Sequence, residues 1–242
     1  IFSCLICRKK FPNTLSTWID FLIYAVIGNI IPFQLIAQGQ LFITSGMAGL
    51  LMAFVPLMTM VLAHIFLPNN ELNRFKIIGF VLGISGVLFI LGPSINDGNN
   101  ELYGILLILG ATFFYSINSV IVEKLTKYDP LVAATCSTTL ASLLAFLLWP
   151  DIINLSLDGV PIKTLLNMLA LGLLSTGLGA LIYFNLINNA GAAFLSNMNY
   201  VIPVYAFTLG AFVLGEPVLW QNMVALVLIV FGIFVSRKKL KS

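Results

Sequence analysis

The stretch SNMNYVIPVYAFTLGAFVLGEP, Ser196 to Pro217, is an apolar run with one proline, Pro203, near its middle. A second stretch of the same plan, AGLLMAFVPLMTMVLAHIFLP, carries Pro56 in the first part of the chain. Proline lacks an amide hydrogen and disrupts a helix that contains it. The sequence therefore predicts the same interrupted apolar helix twice in one chain.

Composition indicates the class of protein. Of 242 residues, 60% are hydrophobic and 9% are charged, and the mean hydropathy is +1.04, whereas about 25% of residues in a soluble domain are charged. The charges lie between apolar runs of about twenty residues, the length that a helix needs to cross a bilayer. Segments of about ten alternating residues, typical of outer-membrane barrels, are absent. We therefore predict an all-α polytopic membrane protein.

Eight complete transmembrane helices fit the apolar runs and the stop signals between them. They are predicted at residues 15–37, 43–66, 74–92, 102–127, 131–149, 164–187, 193–214 and 220–236. The predicted stops include Pro93, Asp129-Pro130 and Asn188-Asn189. The chain opens on IFSCLIC with basic residues after it, which predicts an N-terminal stub of an earlier span rather than a signal peptide.

The basic residues predict the orientation. With the C-terminal RKKLK placed inside, alternation of the spans puts eleven of the twelve lysines and arginines on one side, and only Lys163 outside. This bias is the positive-inside signal. We expect a multi-pass protein of the cell (inner or plasma) membrane with both visible termini cytoplasmic, whose cations meet membrane lipid and no nucleic acid.

The two proline-bearing stretches belong to a predicted inverted repeat. Their alignment also pairs Gln38 with Asn185 and, with a small slip, Glu71 with Glu216. Five predicted helices separate equivalent positions, and because five is odd, the two copies cross the membrane in opposite directions. Such repeats let one bundle rock against another around a central site.

Polar side chains within the apolar helices are candidates for the wall of a substrate pathway. Pro56 and Pro203 each release a backbone carbonyl, which in a bilayer needs protein or a water-filled cavity beside it. Amide and phenol groups that face lipid are costly, so we expect them to face inward. For each one, a contact between helices is the alternative to a ligand contact. The predicted pathway residues are Pro56, Tyr115, Asn118, Tyr183, Asn185, Asn197, Asn199, Tyr200 and Pro203.

Small residues predict close helix packing at two places, because glycine lets backbones approach. Gly79 and Gly83 form a GxxxG pair, and Gly172, Thr176 and Ala180 form a ridge at four-residue spacing.

Motifs for catalysis are absent from the sequence. His64 is the single histidine and cannot supply the paired ligands of a zinc site, and no GxSxG or Walker sequence occurs. We therefore predict no enzyme, no cofactor and no metal. The nine acidic residues all lie in loops or near the ends of predicted spans, so the expected cargo is zwitterionic or uncharged.

The run NYVIPVYAFTLGAFVLGEPVLWQNMVALVLIVFGIFV resembles the end of the EamA domain of the drug/metabolite transporter superfamily. The run FVPLMTMVLAHIFLPNNELNRFKIIGFVLGISGVLFIL resembles the corresponding end of a preceding repeat. The resemblance implies an inverted five-helix repeat bundle of ten helices at full length. Residues 1–92 would be the C-terminal part of the first repeat, and residues 102–237 the second. Glu71 and Glu216 are the recurrent acidic turn residues, which we interpret as helix-end anchors.

The resemblance also implies a secondary transporter, in some members an exporter, that moves a small organic solute or metabolite by alternating access. A non-transporting receptor or scaffold is the alternative, and a membrane-embedded enzyme is a weaker one because it would need a convergent acid/base or metal set. The expected partners are a small-molecule substrate and membrane lipid, with the chain as a monomer or homodimer.

Overall fold

The computed structural model describes residues 9, 11–67, 71–96, 100–122, 128–150, 154, 156, 159–195 and 198–237. Within these residues, six stretches are long and apolar enough to cross a membrane, and two shorter apolar helices follow them. The six are Leu15–Gly39, Ser45–Phe66, Arg74–Gly92, Glu101–Ile121, Pro130–Leu148 and Ile162–Leu186, and the two are Val201–Val213 and Trp220–Ser236. The described residues contain no strand. The chain is thus an all-helical, multi-pass membrane protein.

The helices lie close to the predicted spans. In chain order they are α1 (Leu15–Ala25), α2 (Ile31–Gly39), α3 (Ser45–Met52), α4 (Val55–Phe66), α5 (Arg74–Asn96), α6 (Glu101–Val122), α7 (Pro130–Leu148), α8 (Ile162–Ala170), α9 (Gly179–Leu195), α10 (Met198–Val213) and α11 (Trp220–Ser236). Two π-helical segments, Val26–Ile30 and Leu171–Leu178, join α1 to α2 and α8 to α9.

Local sequence explains some helix ends but not all of them. The Asp129 carboxylate accepts the amide of Leu131 at 3.0 Å and caps α7, whose first residue is a proline. The stop predicted at Pro93 is wrong, because α5 continues to Asn96; a proline this close to a helix end removes only one bond of the last turn.

The stop predicted at Asn188-Asn189 is also wrong, because α9 continues to Leu195. Asparagine ends a helix when its side chain bonds to the local backbone. Here the Asn189 amide group instead donates to the carboxamide oxygen of Asn185, one turn earlier on the same helix. The side chain therefore supports the helix rather than ending it.

The two prolines that suggested the repeat differ in their surroundings. Helix α3 ends at Met52 and α4 begins at Val55, with Pro56 in its first turn, so the predicted interruption is confirmed there. Helix α10 contains Pro203 in its interior and is continuous from Met198 to Val213, so the predicted break at Pro203 is wrong.

The first of two compact units comprises Ile1–Ile30 and Ile121–Leu195. Within it, α7 packs against α1 and α9. Its core contains the rings of Phe21, Tyr24 and Phe184, and the last two lie with centroids 5.3 Å apart. This unit therefore has a hydrophobic core of its own.

The second unit comprises Ile31–Val120 and Ser196–Ser242. Here α3 packs against α10, and α5 packs against α11. Gly79 and Gly232 bring α5 and α11 together, since a β-carbon added at Gly232 would lie 2.6 Å from the Gly79 carbonyl oxygen. An added β-carbon at Gly83 would overlap the Leu57 side chain. The close packing predicted for the GxxxG pair is thus confirmed.

The ridge predicted around Gly172 behaves differently. A β-carbon added at Gly172 would meet nothing within 4 Å in the part of the chain that the structure describes. Ala180, at the other end of the ridge, packs against the core of the first unit. The spacing of small residues therefore predicted a contact at one end of the ridge and not at the other.

Glu216 is an anchor at a helix end, as the resemblance implied. Its Oε1 and Oε2 atoms accept the amides of Ser45 and Gly46 at the start of α3, each at 2.7 Å. A carboxylate at a helix N-terminus satisfies free amides and complements the helix dipole. The corresponding interpretation of Glu71 stays a prediction; the side chain that caps α5 is that of Asn73, which accepts the Lys76 amide at 2.9 Å.

Candidate substrate pathway

The interruption between α3 and α4 is a tight turn of two residues. The amide of Phe54 bonds to the Leu51 carbonyl at 3.0 Å, three residues back, so the helix tightens as it ends. Pro56 follows in the first turn of α4, where a helix needs no amide. Because Pro56 has no N–H, the carbonyl of Met52 loses the partner that a continuous helix would give it.

Ser116 on α6 connects to this interruption. Its buried hydroxyl lies 3.1 Å from the carbonyl oxygen of Val55, the first residue of α4. It also lies 2.7 Å from the carbonyl oxygen of Thr112 on its own helix. The hydroxyl has one proton to share between the two carbonyls. Ser116 therefore joins α6 to the start of α4 through a polar contact.

Two buried polar atoms on α4 and α6 have no hydrogen-bond partner among the described residues. They are the Oδ1 atom of Asn118 and the Oγ1 atom of Thr59. Thr59 is four residues after Val55 and shares its face of α4, whereas Asn118 is two residues after Ser116 and lies on a different face of α6. An unsatisfied buried polar group costs about 1–3 kcal/mol.

The lack of a partner at Thr59 has a local cause. Other helical hydroxyls bond to the carbonyl four residues back, as Ser119 does to Tyr115 at 2.9 Å and Thr208 to Val204 at 2.7 Å. For Thr59 that carbonyl belongs to Val55, which already faces the Ser116 hydroxyl. A carbonyl oxygen has two lone pairs, and a regular helix uses one for its own amide. Thr59 is thus left with an unused hydroxyl.

The predicted pathway residues are divided between the two compact units, and the side chains of some lie outside what the structure describes. Pro56 on α4 and Tyr115 and Asn118 on α6 lie in the second unit, with Asn118 buried and the other two half-buried. Pro203 is buried inside α10 of the same unit. Asn199 and Tyr200 belong to the first turn of α10, but their side chains lie outside what the structure describes, as does the whole of Asn197.

Tyr183 and Asn185 belong to the first unit, on α9. The ring of Tyr183 contacts that of Phe184 edge to face, with centroids 5.6 Å apart. Asn185 is exposed and accepts a hydrogen bond from Asn189. Local pairing of this kind is the alternative to ligand contact for Asn185.

Sequence reasoning omitted Thr59 and Ser116, although both flank predicted residues. Thr59 is three residues after Pro56, and Ser116 directly follows Tyr115. Hydroxyl residues normally satisfy themselves on their own helix, so nothing local distinguishes these two from other serines and threonines. Only the spatial meeting of α4 and α6 identifies them.

Comparison with known proteins places the chain in a family. The profile of the EamA-like transporter family matches residues 1–92 and 102–237. An uncharacterized transporter of Archaeoglobus fulgidus is 27% identical over 202 residues, which cover 83% of this chain and 71% of that protein. The uncharacterized transporter YoaV of Bacillus subtilis is 25% identical over 235 residues, covering 95% of this chain and 79% of YoaV.

A Salmonella typhimurium protein named a probable amino-acid metabolite efflux pump is 26% identical over 201 residues, which cover 79% of this chain and 67% of that protein. A solved crystal structure has a TM-score of 0.64 and 21% identity, covering 93% of this chain and 77% of the other. The likeness to that structure concerns the fold alone. Because the family profile matches well over half of the sequence, the chain belongs to the EamA-like transporter family of the drug/metabolite transporter superfamily.

Proposed function

We propose that this protein is a secondary transporter that moves a small zwitterionic or uncharged organic solute across the cell membrane by alternating access. One observation carries the proposal: buried polar atoms have no partner among the described residues on the interrupted segment itself, at Thr59, and on the helix α6 that contacts it through Ser116, at Asn118. In a bilayer, interrupted helices and buried polar groups occur where they line a pathway for substrate.

The chemistry of these two polar atoms favours a cargo with hydrogen-bond donors. The unpaired Asn118 oxygen accepts hydrogen bonds, and the Thr59 hydroxyl both accepts and donates. A hydroxyl, amide or ammonium group of a solute could bond to either atom. Thr59, Ser116 and Asn118 carry no charge, so a cargo without net charge suits them. The name of the Salmonella relative agrees with amino-acid-like cargo and with export.

An inverted five-helix repeat, with ten helices at full length, would supply the rocking motion. The proposed repeats are residues 1–92 and 102–237. Helices α3 and α10 belong to the two spans that the proline alignment pairs, and they pack on each other through Gly46 with Gly210 and Gly49 with Ala206. The paired positions advance in opposite directions along the two helices, so the packing is antiparallel. Opposite membrane orientation of the two copies requires this arrangement.

The proposed topology has eight complete spans with both visible termini in the cytoplasm. Single cysteines that replace Lys163 and Lys127 should label from opposite sides of intact cells, with the cysteine at 163 accessible from outside. Labelling of both from one side would overturn the eight-span topology and the inverted repeat together.

Transport itself is testable with purified protein in liposomes and a panel of neutral and zwitterionic solutes. Asn118→Leu and Thr59→Val should each lower uptake about tenfold, as expected for the loss of one ligand hydrogen bond of about 1.4 kcal/mol. Thr208→Val is the matched control, because the Thr208 hydroxyl bonds to its own helix.

Wild-type uptake by both pathway variants would contradict the site, and avid uptake of a permanent dication through it would contradict the cargo class. Failure of the wild type to move any solute would favour a receptor or scaffold. Chemical conversion of a solute would indicate an enzyme.

A further inference from the structure

The contact between Glu216 and the start of α3 completes the capping of that helix. Ser45 and Gly46 donate their amides to the two oxygens of Glu216, each at 2.7 Å. The hydroxyl of the N-cap residue Thr44 accepts the Met47 amide at 3.2 Å, and its carbonyl accepts the Ala48 amide at 3.0 Å, which is the first regular bond of the helix. A helix start has four free amides. Half of those of α3 therefore depend on a residue at the far end of the sequence.

Two glycines form the slot that holds the carboxylate. A β-carbon added at Gly46 would lie 2.8 Å from Oε2 of Glu216, and one added at Gly210 would lie 2.5 Å from the same atom. Both distances are too short for real carbon and oxygen atoms. Gly215, with φ of +67°, turns the chain after α10 so that Glu216 points back toward α3. Such a φ is open to glycine at little cost.

The contact with Glu216 lies at one end of α3, and the interruption before Pro56 lies at the other. Helix α3 has only eight residues, from the Glu216 contact at Ser45 to its end at Met52. A short helix transmits movement of one end to the other because its backbone bonds keep it rigid. Any rocking of α3 away from α10 must break the two bonds to Glu216, and it moves the segment that leads to Pro56.

We propose that Glu216 is a latch: its carboxylate holds the start of α3 against the turn between α10 and α11, and its release is the step that lets α3 move during transport. The role of the latch in the transport cycle rests on the proposed function, whereas the contact between Glu216 and α3 is independent of that function. Bonds to an ionised carboxylate are stronger than neutral ones, yet water can replace them once the helices separate.

The test measures opening without measuring transport. Ala211 lines a shallow pocket beside Glu216 and is half-buried. In detergent-purified protein carrying Ala211→Cys, with Cys4 and Cys7 changed to serine, the rate of maleimide labelling at 211 reports separation of α3 from α10. The native Cys136, which is buried in the first unit, stays as a reporter of unfolding.

Glu216→Ala should speed labelling at 211 about tenfold, the change in open population that about 1.4 kcal/mol produces. Glu216→Gln, which retains one acceptor oxygen, should give a smaller increase. Glu101→Gln is the control, since Glu101 lies in the first turn of its own helix α6. Protection of Cys136 should not change in any variant.

An unchanged labelling rate in Glu216→Ala would overturn the latch. A parallel rise at Cys136 would also overturn it, because Glu216 would then hold the whole fold together. If labelling rises as expected but the wild type transports nothing, the latch stands and the proposed function fails. If transport occurs and Glu216→Gln leaves its rate unchanged, the latch has no part in the transport cycle.

Discussion

The segments Ser45–Phe66 and Met198–Val213 carry the two prolines that the predicted repeat pairs, yet one segment is interrupted and the other is continuous. Pro56 occupies the first turn of α4, where free amides have no helical partner and proline costs little. Pro203 lies well inside α10, where it removes a backbone bond. The comparison teaches that proline removes one bond but does not decide where a helix ends. Neighbouring residues decide that.

The surroundings of the two prolines differ accordingly. Beside Pro56, the amides of Ala53 and Phe54 bond to carbonyls three residues back, and the Ser116 hydroxyl contacts the Val55 carbonyl. Pro203 is instead fully buried within a continuous helix. The interrupted segment therefore makes a polar contact with α6, whereas the proline of the continuous segment is simply buried.

The largest effect is expected where the two segments touch. A β-carbon at Gly49 would overlap that of Ala206, so Gly49→Ala should destabilise the protein by about 1–3 kcal/mol through overpacking. The measurement is thermal unfolding and the yield of monodisperse protein. Ala206→Gly in the same chain should recover most of the loss, and Gly92→Ala, where an added β-carbon meets nothing within 4 Å, is the control. A Gly49→Ala variant as stable as the wild type would refute the close contact.

A smaller effect should separate the two prolines. Pro203→Ala removes a residue that costs a helix interior about 3 kcal/mol through the lost backbone bond and the steric clash of its ring, less about 1.6 kcal/mol for two buried methylenes, so a net gain in stability is expected. Pro56→Ala should change the stability little, because the amide that it restores lies in the first turn of α4 and has no helical partner. Thermal unfolding of both variants tests this, and an equal change would remove the distinction between the segments. If both prolines serve the pathway, the transport rate of each variant should also fall by a larger fraction than the amount of protein in the membrane.

Ser116→Ala should have an effect of about 1 kcal/mol or less, because Thr59 can then bond to the freed Val55 carbonyl. Together with Thr59→Val the loss should exceed the sum of the two single losses, since no hydroxyl then reaches that carbonyl. Ser119→Ala, whose hydroxyl bonds to its own helix, is the control. Strict additivity in the unfolding free energies would argue against the shared carbonyl.

The smallest effect lies outside both segments, at the ion pair between Lys9 and Asp129, whose charged atoms are 2.7 Å apart. The Lys9 ammonium lowers the pKa of Asp129 below its ordinary value of 3.8. Because the pKa is lower in the folded protein than in the unfolded chain, the pair stabilises the fold at pH values above the ordinary pKa of 3.8. This contribution disappears as the pH falls through the lowered pKa of the folded protein. Lys9→Met should cost less than about 1 kcal/mol at pH 7, because the pair is partly exposed. The difference from the wild type should vanish in strong acid, and a difference that persists there would assign the effect to packing.

The sequence predicted the membrane class and the helix positions well because both depend on local composition. Bilayer thickness fixes the length of an apolar run, and caps such as Asp129 with Pro130 act on the residues beside them. The errors at Pro93 and Asn188-Asn189 have a common reason. A helix-breaking residue is only a preference, and one side-chain bond or a nearby helix end is enough to overrule it.

For the candidate pathway, sequence alone proposed Tyr115 and Asn118 from the cost of polar groups in an apolar run, and Pro56 from the carbonyl that it releases. Thr59 and Ser116 required the structure, because their distinction lies in competition for one carbonyl between two helices. For Glu216, the resemblance indicated an anchor, but nothing in the sequence named its partner.

The sequence by itself thus determined that the chain crosses a membrane repeatedly, where most of its helices lie and which polar residues are costly enough to need a purpose. Tertiary structure alone decided which proline interrupts its helix, which hydroxyl is left unpaired and which helix start the Glu216 carboxylate holds. The physical reason is the difference in the sequence distance over which these interactions act. Hydropathy and capping act over one or two turns of a helix, whereas a hydrogen bond joins whatever groups the packing of distant helices brings within 3 Å.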